Sequence, residues 1–535
     1  MLIKAYKAKD LTAFDNPVIS ETGDVLRVLL IFPPATHAVR AMYTFEDNDH
    51  TGIGVKPPLG PMFVASYLKE NSPHKIKILD SQVLGLNEDQ IRAEIRQYKP
   101  HVVGVTAWTD FWYDAYRCIQ IAKEVNPNIH VTVGGPHVGI YPEITLEFSG
   151  CDSVIVGDGE IPFFWLVNGL SNGNIPSDLP GLHLKKSGVK KGALEFYIHG
   201  DLDSLPFPNR AMLPYKRYHS AVAKSEFVTT MITSRGCPYH CTFCKLSFQK
   251  TLSLSAENVL AEMEQIAALG IREIEIYDDT FTWSKKRLID ICKGMVERGF
   301  DFDWAIRDRV SSPTPETMEW LARAGCRRIH FGVESGSNKT LKTIKKAINK
   351  QQAVEAVKLA KKHGIQILTY FMLGLPGETL DDMRETIRFA KQLDPDYTTF
   401  SVTVPNAGTE MYQAGLDQGI IPYDYWLDYA RNPTPNFIVP YFWEEYLNKE
   451  DLLRIRDEAT RSFYFRPRYI AKQLRQTNNL GEIKRKGKMA LGLFQAVVLR
   501  NGKDKQKYTD TTSTLSGIRA DSFANNKANP FSVRK

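Results

Sequence analysis

From Val25 onward the chain alternates short apolar runs with amphipathic stretches of helical period. Val25–Phe32 (VLRVLLIF) ends in Pro33-Pro34 and predicts a buried parallel strand. Pro61–Glu70 predicts a helix, Lys75–Asp80 a strand and Glu88–Gln97 a helix. Val102–Thr106, His130–Val133 and Ser153–Val156 predict three more strands. Tyr113–Val125 is a helix between the first two, and a helix carrying Phe163 and Phe164 follows the third. Strands separated by helices of this length imply a doubly wound parallel sheet over residues 25–178. Residues 1–24 show no period and read as an arm.

Leu179–Tyr218 is Pro-rich and weakly periodic, so residues 179–227 are expected to be a linker. A second α/β series occupies 228–420. Its predicted strands are Thr229–Thr233, Glu273–Tyr277, Asp303–Ile306, Arg328–Val333, Ile367–Met372 and Thr398–Thr403. Six strand–helix repeats without a seventh or eighth suggest a partial (β/α)6 barrel. Residues 421–500 read as mostly helical, with Trp426, Trp443 and Tyr464 as packing anchors, and 501–535 as a polar, disordered tail.

Composition excludes collagenous, low-complexity and wholly disordered classes: 43% of the 535 residues are hydrophobic and 24% charged. The net charge of +7 is local. Residues 481–535 alone carry 12 Lys+Arg and 4 Asp+Glu, a net of +8, which leaves the rest at −1 and without a case for a nucleic-acid groove. No apolar run approaches a membrane span, and the first residues lack the apolar core of a secretory signal. Seven cysteines, odd and sparse, fit a reducing cytoplasm.

Three of the seven form Cys237-Pro-Tyr-His-Cys241-Thr-Phe-Cys244, just after a predicted strand. Zinc would want a fourth ligand, and His240 is wedged between two cysteines. Disulfides would leave one thiol over. Three soft ligands holding an iron–sulfur cluster with one iron open fit the count better. This Cys-x3-Cys-x2-Cys spacing at the first strand of a βα series resembles the radical S-adenosylmethionine (radical SAM) superfamily, over about residues 228–410. The resemblance implies a [4Fe–4S] cluster on Cys237, Cys241 and Cys244. Its fourth iron would be chelated by S-adenosylmethionine, which one electron cleaves to a hydrogen-abstracting 5′-deoxyadenosyl radical. It further implies Phe243 near the adenine and Asp278 or Asp279 at the methionine amine, where Gly-Glu is the usual form. Arg307 would meet the cofactor carboxylate, Glu334 and Ser335 the ribose, and Gly374 and Gly377 the adenine.

A dinucleotide fingerprint would place Gly-x-Gly-x-x-Gly after the first strand, and here that strand runs into Phe32-Pro33-Pro34-Ala35. Instead Pro57-Pro58-Leu59-Gly60, VVGVTAW (with Thr106), VTVGGPH (Gly134, Gly135) and VIVGDGE (Gly157, Glu160) resemble, in this order, the cobalamin-binding domain found ahead of radical SAM barrels. Many such domains carry Asp-x-His-x-x-Gly, whose histidine ligates cobalt. This chain has Asp80-Ser81-Gln82-Val83-Leu84-Gly85, so the resemblance implies base-off cobalamin without a protein histidine, its tail beside Gly134 and Gly135. His137 is the lesser candidate for a cobalt ligand.

The expected architecture is α/β: a Rossmann-like cobalamin domain, a partial radical SAM barrel and a mostly helical C-terminal region. The expected activity is methyl transfer to an unactivated carbon. The alternative is oxidative cyclisation of the anaerobic magnesium-protoporphyrin monomethyl ester cyclase type, which Asp457–Arg468 resembles. A non-catalytic cobalamin or metal sensor is the rival of another class, and the polar groups kept at strand ends argue against it. Expected partners are a small-molecule or lipid-like substrate and an electron donor such as a flavodoxin or ferredoxin. Lys484–Lys488 ahead of the apolar Met489–Leu499 allows an interfacial helix, but a buried final helix is the favoured reading.

Overall fold

The computed structural model describes residues 3–6, 23–39, 54–176, 179–185, 196–220, 222–245, 248, 250–475, 487 and 491. In chain order, its first strands are β1 (Ile3–Tyr6), β2 (Arg27–Phe32), β3 (Lys75–Asp80), β4 (Val102–Thr106), β5 (His130–Gly134), β6 (Ser153–Ile155), β7 (Leu182–Leu184) and β8 (Phe196–His199). Six of them form one sheet in the order β3-β2-β4-β5-β6-β7, parallel except for the antiparallel β6–β7 edge. Along β2, Val28 and Leu30 enter one core and Leu29 and Ile31 the other, so helices cover both faces. Helices Leu59–Asn71 and Glu160–Asn172 pack together on one side, and Glu88–Tyr98 and Trp112–Val125 on the other. The winding reverses at β2, between β3 and β4, which opens a crevice at the carboxyl ends of β2 and β4.

The second sheet contains β9 (Thr229–Met231), β12 (Glu273–Ile276), β13 (Asp303–Asp308), β14 (Cys326–Glu334), β15 (Gln366–Leu373) and β16 (Tyr397–Val402). The short pair β10 (Ser234–Arg235) and β11 (Leu252–Ser253) lies between β9 and β12 in the chain. All neighbours in the order β16-β15-β14-β13-β12-β9 are parallel, and β16 does not return to β9. This is the expected six-stranded partial barrel. Burial along β15 alternates strictly. Ile367, Thr369, Phe371 and Leu373 are buried on the helix side, while Gln366, Leu368, Tyr370 and Met372 remain partly accessible on the other. The lumen is therefore open to solvent. Beside β9 its free edge meets the N-terminal half, where Thr230 donates to the Pro57 carbonyl at 3.4 Å.

Two expectations are corrected. Residues 179–227 are more than a linker: β7 extends the first sheet, and β8 pairs with β1 of the expected arm. Strands of three and four residues are too short to declare a period. Met1–Leu474 belongs to one compact unit. The C-terminal helices Tyr425–Arg431, Lys449–Tyr464 and Pro467–Arg475 are fastened to the barrel by the expected aromatic anchors. Trp426 Nε1 donates to Pro405 O at 3.0 Å and the Tyr464 hydroxyl to Thr398 O at 2.6 Å. Trp443 packs with Leu341 and Leu375. The second unit begins at Arg475. The tail 501–535 and nearly all of Lys484–Leu499 lie outside the described residues.

Candidate functional site

The cysteine loop springs from the β10–β11 pair and is pinned along its length. Cys237 N donates to Phe248 O at 3.3 Å, Thr242 N to Ile344 O at 3.1 Å, and Met411 N to Thr242 O at 2.9 Å. All three cysteines are free thiols; Cys237 and Cys241 are buried and Cys244 is exposed. Two cations stand beside them. The Arg309 guanidinium lies 3.6 Å over the Tyr239 ring, brings Nη1 to 3.8 Å from Cys241 Sγ, and donates through Nη2 to the Lys346 carbonyl. Lys346 sits 5.5 Å over the Phe243 ring and pairs with Glu334 at 2.7 Å. Hydrogen bonding from Cys244, then Lys346 and Arg309, pull the Cys241 thiol down to about 6 against the cost of burial.

Among the described residues no three ligating side chains converge tightly enough for a single metal ion. A four-iron cluster attaches each thiolate to a different iron, so its ligands stand further apart. Three free thiols on one pinned loop beside two cations, with no carboxylate or histidine among the described residues completing the set, fit such a cluster.

The other barrel residues singled out from sequence are placed unevenly. Asp278 is fully engaged inside the fold: its carboxylate accepts from the Thr233 and Ser234 backbone N–H groups at 2.6 and 3.1 Å and from both hydroxyls. Asp279 is exposed and accepts from Gly236 N–H. Ser335 is buried against Thr386 and Glu378, turned away from the mouth. Glu334 closes β14 with φ of 67°, a left-handed conformation costly for a residue with a Cβ, and the Lys346 pair holds it there. Gly374 N–H donates to Glu378 Oε2 at 2.8 Å, and burial pushes that carboxyl up to about 7. Gly377 N–H donates to Glu445 Oε2 at 2.8 Å, which brings the C-terminal segment over this turn. Arg307 is the penultimate residue of β13, at its carboxyl end. Its guanidinium lies 3.5 Å over the Tyr277 ring.

In the N-terminal sheet, Asp80 and Gly85 have local roles. Asp80 caps the one-turn helix Ser81–Leu84 through Gln82 N and Val83 N and accepts the Tyr218 hydroxyl at 2.7 Å; Gly85 ends that turn with φ of 65°. Burial holds the Asp80 carboxyl up, at about 6. Gln82 is half-buried between them. Thr106 and Gly134 are register partners at the ends of β4 and β5. A Cβ on Gly134 would meet nothing nearer than Ile155 O at 3.8 Å, so the ground there is open. Gly135 and Gly157 are glycine for another reason. Added Cβ atoms would lie 2.7 Å from Ala107 O and 2.0 Å from Tyr197 O, so these positions serve strand and loop packing. His137 is buried, stacked at 4.0 Å on Trp112 and held neutral by burial, its pKa down to about 3. An open strand end at Thr106 and Gly134, at the carboxyl edge of a doubly wound sheet, fits a cofactor tail. The buried His137 does not fit a cobalt ligand.

Residues that sequence reasoning missed join the two halves. Arg235, just ahead of Cys237, pairs with Glu160 at 2.7 Å and Asp158 at 3.0 Å, and lies 4.9 Å over the Phe63 ring. A cavity of about 240 Å³ lies where the loops after β4 and β5 meet the cysteine loop. Trp108, Asp110, Pro136, Phe243, Lys245 and Trp426 line part of it. Burial pushes Asp110 up to about 6. No helix of the described residues is long and apolar enough to cross a membrane.

Comparison with known proteins agrees with this division. The Radical SAM superfamily model matches residues 231–390 and the B12 binding domain model residues 53–164. An uncharacterized methyltransferase of Pyrococcus horikoshii is 34% identical over 457 residues, 84% of this chain and 95% of that one. The anaerobic magnesium-protoporphyrin IX monomethyl ester cyclase of Rubrivivax gelatinosus is 26% identical over 78% of this chain and 76% of its own. Among solved structures, the radical SAM methyltransferase TsrM from Kitasatospora setae, with cobalamin and a [4Fe-4S] cluster bound, superposes with a TM-score of 0.65. It is 17% identical over 88% of this chain and 99% of that chain, a likeness of fold. The chain therefore belongs to the cobalamin-binding radical SAM enzymes, the methyltransferase family whose cofactors are a [4Fe–4S] cluster, S-adenosylmethionine and cobalamin.

Proposed function

We propose that this enzyme transfers a methyl group to an unactivated carbon of a small molecule. The observation that supports the reading is a free three-cysteine loop and a cobalamin-type domain in one compact unit, in a chain 34% identical to a methyltransferase; the Arg235 fork joins the two. One side chain at the root of the cysteine loop grips Asp158 and Glu160 of the N-terminal glycine loop, so the two cofactor-side loops are held as one piece. When bound, the cluster and S-adenosylmethionine supply a radical that takes hydrogen from an inert C–H bond, and cobalamin supplies the methyl group.

The residues divide that work. Cys237, Cys241 and Cys244 hold the cluster, with Arg309 and Lys346 offsetting the negative charge of the thiolates. Phe243, Asp279, Glu334 and the Gly374–Gly377 turn line the S-adenosylmethionine side, and Asp278 and Ser335 stiffen it from behind. Thr106, Gly134 and the neighbouring backbone receive cobalamin, while Asp80 and Gly85 shape the loop that carries Gln82. The cavity between the halves, with Trp108, Phe243 and Trp426 in its wall, is a way in for a substrate from the domain boundary. TsrM has been captured with tryptophan, a small molecule. An external one-electron donor of the flavodoxin or ferredoxin type completes the system.

The cyclase relatives keep a second reading in view, oxidative ring closure without methylation. The two separate on products. Anaerobically reconstituted enzyme, given dithionite, S-adenosylmethionine and an extract of cells lacking the protein, should yield both 5′-deoxyadenosine and S-adenosylhomocysteine. 5′-Deoxyadenosine alone would overturn the methyl-transfer reading in favour of cyclisation.

A further inference from the structure

We propose that Arg307, together with the Tyr370 hydroxyl, is the docking point for an anionic group of the substrate, a carboxylate or phosphate, inside the barrel lumen. This rests on the reading of the chain as an enzyme acting on a small molecule, and it specifies that molecule's chemistry.

The lumen wall is unusually charged, and nearly all of its charge is matched. Lys56 reaches in from the N-terminal half to pair with Glu275 at 2.7 Å. Arg328 lies 3.6 Å from the same carboxylate. Lys346 is paired with Glu334. Arg307 is different. Among the described residues it has no carboxylate within ion-pair distance. It stacks flat on Tyr277 at 3.5 Å and donates through Nη1 to the Ile276 carbonyl at 3.2 Å. Most of its five N–H donors are left for a ligand. Glu275, bonded to the Tyr277 hydroxyl at 3.3 Å, is its nearest counter-charge and is already shared with Lys56 and Arg328, so an incoming anion would meet an excess of positive charge.

His330, the register partner of Arg307, connects it to a hydroxyl whose proton is turned away from the imidazole. Arg328 Nε donates to His330 Nε2 at 2.9 Å, which makes Nε2 the acceptor and puts the imidazole proton on Nδ1. Nδ1 lies 2.9 Å from the Tyr370 oxygen and donates to it, so the Tyr370 O–H points its own proton elsewhere. Burial, then the charges of Arg328 and Arg307, keep this histidine neutral, well below its ordinary range. Arg307 and Tyr370 are both partly accessible, on the open lumen face. A cation and an O–H donor, both joined to His330 on the lumen wall, are what a carboxylate or phosphate requires. The methionyl carboxylate of S-adenosylmethionine is the other possible source of such a group. Footprinting with and without S-adenosylmethionine separates the two sources.

The test is arginine footprinting of the reconstituted holoenzyme with p-hydroxyphenylglyoxal, read at Arg307 by peptide mass spectrometry, with the exposed Arg272 as internal reference. S-adenosylmethionine alone should leave Arg307 reactive. Adding saturating inorganic phosphate or succinate should slow its labelling roughly tenfold, the size of effect of one charge-assisted pair. Tyr370→Phe should weaken that protection severalfold without changing cluster absorbance or S-adenosylmethionine retention. Protection by S-adenosylmethionine alone would assign Arg307 to the cofactor and overturn the proposal; so would labelling that neither anion slows. Cluster absorbance and cofactor retention in the same samples report separately on the proposed function. Apoprotein labelled with and without the two anions decides Arg307 even if that reading fails.

Discussion

Arg235→Ala removes a side chain that ties the root of the cysteine loop to the loop after β6. Arg235, Asp158 and Glu160 have side-chain exposures of 18%, 16% and 4%, so truncation strands two carboxylates in a largely dry site. Breaking a buried pair from one side costs about 3–5 kcal/mol, and partial exposure of two of the three groups puts the expectation near ~3 kcal/mol. Loss of the stack on Phe63 adds about 0.5–1 kcal/mol. The pH dependence carries the sharper signature. In the wild type burial raises the Glu160 pKa, but Arg235 more than offsets it and leaves the group below the usual carboxylate range. That contribution is present above the unfolded pKa and is lost as pH falls through the folded one. In the variant both carboxyls lose their cation, Asp158 keeping only the His199 N–H at 2.8 Å; their folded pKa values rise, and acid relieves the strain. The gap between wild type and variant should therefore be widest near neutral pH and close on mild acidification. Urea unfolding of both proteins across that range reads it directly. Arg235→Lys should recover part of the loss, because an ammonium meets one carboxylate but cannot fork between two. A gap under about 1 kcal/mol, the range of a surface pair, or one that stays constant with pH, would refute the reasoning.

Further expectations follow from the same geometry. Cys237→Ala, Cys241→Ala and Cys244→Ala should each abolish the visible absorbance of the reconstituted cluster; an intact chromophore in any of them would remove that residue from the ligand set. Gly157→Ala places a Cβ 2.0 Å from the Tyr197 carbonyl at a φ of 100° and should destabilise the fold by several kcal/mol in a thermal melt, about the cost of severe strain. Gly134→Ala puts a Cβ in ordinary contact with Ile155 O at 3.8 Å and should leave the melt unchanged while weakening cobalamin retention measured by absorbance after desalting. Asp80→Ala loses a helix cap and a buried hydroxyl partner, together roughly 2–3 kcal/mol. Gln82→Ala should leave both stability and the bound-corrinoid spectrum as they are, and an altered spectrum would mark Gln82 as a cobalt-side contact.

The two sheets were legible because buried parallel strands are written as dense apolar runs. VLRVLLIF and VVGVT fall on β2 and β4 almost residue for residue. β1, β7 and β8 were not, because their stability comes from partners far away in the chain and not from a pattern of their own. The cysteines announce themselves by type and spacing. Arg235, Arg309 and Lys346 do not, since an isolated cation has the same sequence appearance on a surface as beside a thiol. Their roles emerge only when β10, β13 and the loop after Thr343 meet at the barrel mouth. Glycine was the most ambiguous signal. Gly134 and Gly157 look alike in VTVGGPH and VIVGDGE, yet one faces open ground and the other a carbonyl oxygen. Asp80 and Gly85 matched a cofactor pattern, but in the structure they cap and end one turn of helix.

The central claim is that this chain methylates carbon with cobalamin and radical chemistry together. The measurement closest to it is turnover with S-adenosylmethionine carrying a CD3 group, with the products of a deficient-cell extract compared by mass spectrometry. The account predicts a product that has gained the intact CD3 group, formed alongside 5′-deoxyadenosine and only when cluster and cobalamin are both loaded. A product that has lost hydrogen and carries no deuterium would contradict it.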